Sequence, residues 1–237
     1  MQLLAGRTGG MKVTRMLKFS LLIVAGLAVL LYSFGWKPAK GATALPDPKV
    51  DESVVAAQGH ETVVLAGGCF WGIQAVFEHV KGVAKATAGY SGGTVKNPEY
   101  EEVSSGTTGH AESVEVVYDP SKITFGQLLK IFFSVAHDPT ELNYQGPDVG
   151  TQYRSAIFFE TPEQERIAKA YVAQLTDAHA FSSPIVTQVE RFKAFYRAED
   201  YHQDYAERNP ENPYIMMNDR PKVANLKKEF PELYVSR

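Results

Sequence analysis

The chain is expected to fold as a two-layer α/β (α+β) domain with a mixed sheet, preceded by a hydrophobic N-terminal helix. Three observations predict this. From residue 61 onward, short apolar strands alternate with amphipathic helices. Strong capping signals mark the helix starts. Ahead of them lies a run of 18 residues, Leu17–Phe34, apolar but for Lys18 and two serines near its ends. With 237 residues, 44% of them hydrophobic, the chain is long enough for one ordinary core.

Each element follows from its own pattern. Thr62–Ala66 reads as an apolar strand running into Gly67-Gly68. After it, Ile73, Val76, Phe77 and Val80 share one face of a helix. Lys85–Tyr90 and Glu112–Tyr118 read as strands, ended by Ser91-Gly92-Gly93 and Asp119-Pro120. Thr124 and Gln127 form a capping box before a helix with Phe125, Leu128, Leu129 and Phe132 on one face. Ser155–Phe159 is a strand, and Thr161-Pro162-Glu163-Gln164 starts a helix that turns Ala168, Tyr171, Val172 and Leu175 inward. Ile185–Phe195 reads as one long strand, followed by a short helix near Glu199–Arg208. The Pro- and Asn-rich remainder reads as irregular chain wrapping the surface. The organisation is a basic segment over 1–16, the apolar helix over 17–34, a linker over 35–60, the domain over 61–208 and an extension over 209–237 that packs on it.

Charge separates the N-terminal segment from the rest. Residues 1–44 hold six basic groups and no acid, whereas residues 45–237 hold 18 basic and 27 acidic groups. A net of −9 on the domain argues against nucleic-acid binding. As a helix, residues 17–34 would reach about 27 Å, close to a bilayer core. The basic groups before them predict a cytoplasmic N-terminus, a membrane anchor and a domain outside the cytoplasm, in the periplasm if the cell is Gram-negative. The alternative is a cleaved signal and a secreted form, with Ala42-Thr43-Ala44 as the cleavage pattern.

Chemistry centres on the single cysteine, Cys69, in Gly67-Gly68-Cys69-Phe70-Trp71-Gly72. A lone thiol in an exported domain has no partner for an internal disulfide. It also excludes a CxxC metal centre, and no His pair stands at ligand spacing, so no metal is expected. Its place at a strand-to-helix handover predicts that the helix N-terminus lowers its pKa. Glu112 falls on the apolar face of its strand with Val114, Val116 and Tyr118, so its pKa should be raised and it could donate a proton near neutrality. His110, in the turn before it, is expected to make a structural hydrogen bond. Tyr100, Asp148 and Tyr153 carry little signal from spacing alone.

Several motifs in order resemble the A-type peptide-methionine (S)-sulfoxide reductases. They are Gly68-Cys69-Phe70-Trp71-Gly72, Gly89-Tyr90-Ser91-Gly92-Gly93, Asn97-Pro98-Glu99-Tyr100, Gly106-Thr107-Thr108-Gly109-His110-Ala111-Glu112, His137-Asp138-Pro139 and Gly150-Thr151-Gln152-Tyr153-Arg154-Ser155. The resemblance runs from about residue 61 to 208. It implies a ferredoxin-like core and a thiol mechanism with no bound cofactor. Cys69 matches the nucleophile, Phe70 and Trp71 the wall for the substrate S-methyl group, and Glu112 the acid toward the sulfoxide oxygen. Tyr100 and Tyr153 match hydroxyl donors to that oxygen, and Asp148 a supporting carboxylate. Substrates would be oxidised proteins or peptides, or free methionine sulfoxide.

One departure bears on recycling. Ser104 stands where some relatives carry a second cysteine, and the tail has none. An external thiol of thioredoxin, glutaredoxin or glutathione type is therefore expected to reduce Cys69 directly. Competing readings are a cysteine hydrolase with His110 as base, a peroxide-reducing thiol, and a membrane-tethered module that binds methionines without turnover.

Overall fold

The computed structural model describes residues 42–52 and 59–237, so the expected helix over 17–34 lies outside the described residues. Among the described residues, no helix is long and apolar enough to cross a membrane.

Alternating apolar residues build one six-stranded mixed sheet. Its strands are β1 (Glu61–Gly67), β2 (Val83–Ser91), β3 (Ala111–Tyr118), β6 (Ser155–Phe159), β7 (Gln188–Arg191) and β8 (Phe195–Arg197). Two short strands, β4 (Tyr144–Gln145) and β5 (Asp148–Val149), pair separately as a hairpin. The order is β7-β6-β1-β3-β2-β8; β6 and β7 are parallel and every other pair is antiparallel. The central order β6-β1-β3-β2, with helices after β1 and β3, is that of a β–α–β–β–α–β split unit. Helices α1 (Phe70–Glu78), α3 (Phe125–Ile131) and α4 (Pro162–Asp177) contribute to the main core, and α2 (Tyr100–Ser104) is a single turn.

Strand alternation sorts the side chains into two cores. Val63 and Leu65 of β1 join Val114 and Val116 of β3, Ile73 and Phe77 of α1, and Leu128 and Leu129 of α3. Val64 and Ala66 point to the other face, with Ala156, Phe158, Phe192 and Phe195. Both anticipated caps form. Thr124 and Gln127 close a capping box on α3, and the Thr161 hydroxyl accepts from the Gln164 amide on α4.

Four expectations need correction. The stretch 185–195 is not one strand. β7 lies on one edge of the sheet and β8 on the other, joined by Phe192, Lys193 and Ala194. Four residue steps reach at most about 14 Å, whereas five strand spacings of a flat sheet would need about 24 Å. The sheet must therefore curl until its edges approach, and Phe192 and Phe195 line the inside of the curl. The expected helix near Glu199–Arg208 is a 3₁₀ turn, Asp200–His202, and a short helix α5, Tyr205–Arg208, separated by left-handed Asp204.

The C-terminal stretch is helical rather than irregular. A π turn over Ile215–Asp219 runs into α6 (Arg220–Glu229), with Pro221 in the first turn, where proline starts a helix instead of breaking it. Ile215 and Leu226 anchor it in the core. Residues 42–52, expected as linker, lie against the domain. Leu45 is buried, Asp51 accepts from the Gly126 amide (2.9 Å) and the Thr124 hydroxyl (2.5 Å), and Glu52 accepts from the Phe125 amide (2.6 Å). Two carboxylates thus occupy the N-terminal turn of α3, where amide groups point outward.

Candidate active site

Cys69 is the N-cap of α1, between the end of β1 and Phe70. Gly68 makes this handover possible with φ +93°, a conformation few other residues tolerate, and the Gln145 side chain sits where its Cβ would be. Glu112 enters from β3, two strand positions before Val114, and is 2% exposed. Its Oε2 accepts from the Phe70 amide at 3.0 Å, and its carboxyl also accepts from the Cys69 thiol. Cys69 and Glu112 are therefore joined at the first turn of one helix.

Burial decides the electrostatics. Desolvation pushes Glu112 up to about 8, against the Phe70 amide bond and assisted by Asp148. At neutral pH it is a protonated acid, as its place on the apolar face predicts. For Cys69 the expectation is overturned. Desolvation, then the facing Glu112 and Asp219 carboxylates, push the thiol well above its ordinary range, and the Trp71 amide bond to the sulfur does not offset them. A short helix supplies about half a unit charge, which is outweighed by burial and two carboxylates.

The other anticipated residues converge on the same place. Tyr100, half-buried at the start of α2, is pushed up to about 12 by burial and then by Glu112 and Cys69. Tyr153, at the end of the 3₁₀ turn Thr151–Tyr153, is raised by burial and then by Glu112 and Asp148. Both phenols stay neutral donors. Asp148, on β5, is raised by burial and accepts from the Tyr214 hydroxyl. Phe70 is buried, its ring 5.8 Å from Tyr90 and 4.9 Å from His202. Trp71 is half-buried, stacked on Tyr205 at 3.9 Å, with Tyr214 edge-on at 5.9 Å.

Four participants escaped the sequence reading. His202 is buried; its Nδ1 accepts from Trp71 Nε1 at 3.1 Å and its ring lies 4.5 Å from that of Tyr100. Glu199 ties the same corner, accepting from the Tyr90 hydroxyl (2.8 Å) and the Tyr100 amide (2.9 Å). Tyr214 and Asp219 come from the C-terminal stretch. Asp219 is buried against Gly72, pairs with Lys222 at 3.4 Å, and is pushed up to about 6 by burial. The signal that marks this stretch is Asp219-Arg220-Pro221, a helix-start pattern.

His110 does not join them. Its Nδ1 accepts from the Gly93 amide and its Nε2 pairs with the Val95 carbonyl at 2.7 Å, so both nitrogens serve the turn. That removes the base a cysteine hydrolase needs. Among the described residues, no group of three or more His, Cys, Asp or Glu could hold a metal ion.

The family model described as peptide methionine sulfoxide reductase matches residues 61–234. The chain belongs to this family. Its activity is the reduction of methionine sulfoxide, an oxidoreductase reaction that repairs oxidised proteins. It is 61% identical over 179 residues to a peptide methionine sulfoxide reductase MsrA 2 of Mesorhizobium japonicum, covering 76% of this chain and 92% of that one. It is 51% identical over 209 residues to the MsrA 2 of Synechocystis, covering 87% and 97%. Among solved structures, it resembles reduced Mxr1 of Saccharomyces cerevisiae (TM-score 0.58, 32% identity, 69% of this chain and 92% of that one). It also resembles methionine sulfoxide reductase A of Corynebacterium diphtheriae (TM-score 0.57, 35% identity, 74% and 89%). The family match runs past residue 208, so the stretch carrying Tyr214 and Asp219 is part of the reductase domain.

Proposed function

We propose that this reductase acts on the S epimer of methionine sulfoxide through a Cys69 sulfenic acid that an external thiol recycles. The observation that carries the reading is the Cys69–Glu112 contact at the first turn of α1, with Glu112 pushed up to about 8. A sulfoxide oxygen leaves poorly until it gains a proton. The Glu112 carboxyl gives its proton to that oxygen and takes the thiol proton in return, so the thiolate appears only when substrate is bound. Tyr100 and Tyr153 donate hydrogen bonds to the same oxygen, and Asp148, which accepts from the Tyr214 hydroxyl, is the supporting carboxylate. Phe70 and Trp71 receive the S-methyl group, since thioether and aromatic faces attract.

The thiolate sulfur bonds to the sulfoxide sulfur as the oxygen takes the Glu112 proton; the hydroxyl then passes from the substrate sulfur to the Cys69 sulfur as the bond between the two sulfurs breaks, which releases methionine and leaves Cys69 as a sulfenic acid. One thiol then displaces that oxygen as water and forms a mixed disulfide, and a second thiol releases Cys69 and departs as disulfide. The single cysteine supports this external route, because no second thiol exists in the chain. The reductant is of thioredoxin, glutaredoxin or glutathione type. The substrate is oxidised protein or peptide, with free methionine sulfoxide an outcome of the assay. The apolar run over 17–34 and its basic flank support a membrane anchor holding the domain outside the cytoplasm.

The test is stereochemical. Both epimers of a methionine sulfoxide peptide are supplied with a dithiol. Consumption of the S epimer alone, and its loss in a Cys69→Ser chain, is the expected result. Turnover of the R epimer, or turnover without the thiol, overturns the reading.

A further inference from the structure

Of the five methionines in the chain, only Met216 and Met217 lie beyond residue 16. The domain core uses Leu, Ile, Val, Phe and Tyr and holds no methionine. That is unusual for a flexible side chain suited to filling gaps. Both methionines are instead exposed, at 49% and 42%, and they are adjacent in the turn Ile215–Asp219. This turn begins beside Tyr214, which donates to Asp148, and ends at Asp219, the buried carboxyl against Gly72. Ile215 and Asp219 are buried on either side and the Met216 amide donates to the Asn212 carbonyl at 2.9 Å, so the backbone is pinned while the two thioethers face solvent.

From this placement we infer that Met216 and Met217 are substrates of the enzyme itself, oxidised in place and reduced by the site of a second copy of the chain. The inference rests on the S-epimer reading above. A peroxide transfers one oxygen to each thioether and leaves as water, giving both sulfoxide epimers. Cys69 of another copy then takes up the oxygen of the S epimer, and two external thiols remove it as water and leave as a disulfide. Reduction runs between copies because the pinned backbone holds both thioethers outward, away from the site they border. The R epimer is left behind, so each round of oxidation deposits a polar group next to Tyr214 that the enzyme cannot remove.

The test separates target from enzyme. The target is the full-length Cys69→Ser chain, oxidised with hydrogen peroxide and freed of it. The enzyme is the Met216→Leu, Met217→Leu double variant, used with dithiothreitol. The tryptic peptide Asn209–Lys222 of the target is followed by mass. A methionine sulfoxide peptide in the same tube reports basal activity. Loss of about half of the added oxygen, the share held by S epimers, is the expected result. No loss while the reporter peptide is reduced overturns the inference and leaves the activity intact. Loss of all the oxygen overturns the epimer limit, and failure on the reporter peptide overturns the reading beneath it.

Discussion

At the scale of single residues, the site depends on the protons held by two buried groups, Glu112 and Cys69. Glu112 is pushed up to about 8 by desolvation, so the reactive form of the acid is lost as pH rises through that value. Activity should hold level from about pH 6 to 7 and fall above about pH 8. Glu112→Gln should cost about 10²- to 10⁴-fold in kcat, the usual worth of a positioned acid, and should abolish the alkaline fall. The same burial costs stability. A carboxyl whose folded pKa exceeds its free value of 4.5 stabilises the fold relative to its own ionised form only at low pH, and that benefit is lost as pH rises to about 8. Glu112→Gln should therefore raise Tm relative to the parent by more at about pH 9 than at about pH 5, in paired thermal melts. An equal difference at both values would mean that the carboxyl is not held protonated.

At the scale of elements, the turn Asp200–His202 acts on the site through one hydrogen bond. Trp71 Nε1 can only donate, so the His202 Nδ1 that accepts from it carries no proton. Burial lowers the His202 pKa and favours that neutral state. His202→Phe removes the acceptor but keeps an aromatic ring against Phe70 and Tyr100. About 1 kcal/mol of hydrogen bond corresponds to roughly fivefold in KM, with kcat changed less, because in the proposed mechanism Trp71 faces the S-methyl group rather than the reacting oxygen. His202→Asn supplies an amide oxygen and should recover most of the loss, whereas a loss in both variants would assign His202 a packing role. Elements also differ in how far the sequence revealed them. β1, α1, β3 and the caps of α3 and α4 were legible because period and capping are local signals. Glu112 was legible for the same reason, as a carboxylate on an apolar strand face. His202 and Glu199 were not, since what identifies them is a contact with Trp71, Tyr90 or Tyr100 more than ninety positions away. The low pKa expected for Cys69 failed likewise: the helix is visible in the sequence, but the burial and the Asp219 carboxylate are not.

At the scale of the whole molecule, long-range closure decides what belongs to the domain. No local pattern discloses that β7 and β8 sit on opposite edges, because the curl arises from three connecting residues and two phenylalanines packed inside it. Nor does composition disclose that residues 42–52 are part of the folded unit, since a short Pro- and Lys-containing stretch reads as linker. Yet this strap buries Leu45, receives the Tyr171 hydroxyl on the Pro46 carbonyl at 2.9 Å and fills the N-terminal turn of α3 with Asp51 and Glu52. A chain starting at residue 59 therefore loses a buried leucine, worth about 1.5–3 kcal/mol, and the helix-end carboxylates, worth about 0.3–1 kcal/mol. For a domain of this size that sum lowers Tm by about 5–15 °C. A chain starting at residue 42 keeps every one of these contacts and should melt close to the parent. Because the hydrogen bonds of the strap run to α3, α4 and their surroundings and none joins it to Cys69 or Glu112, both truncations should retain parental kcat well below the melting transition. Equal Tm for the two truncations would show that the strap contributes nothing, while loss of kcat in the shorter chain alone would mean that it acts on the site as well as on the fold.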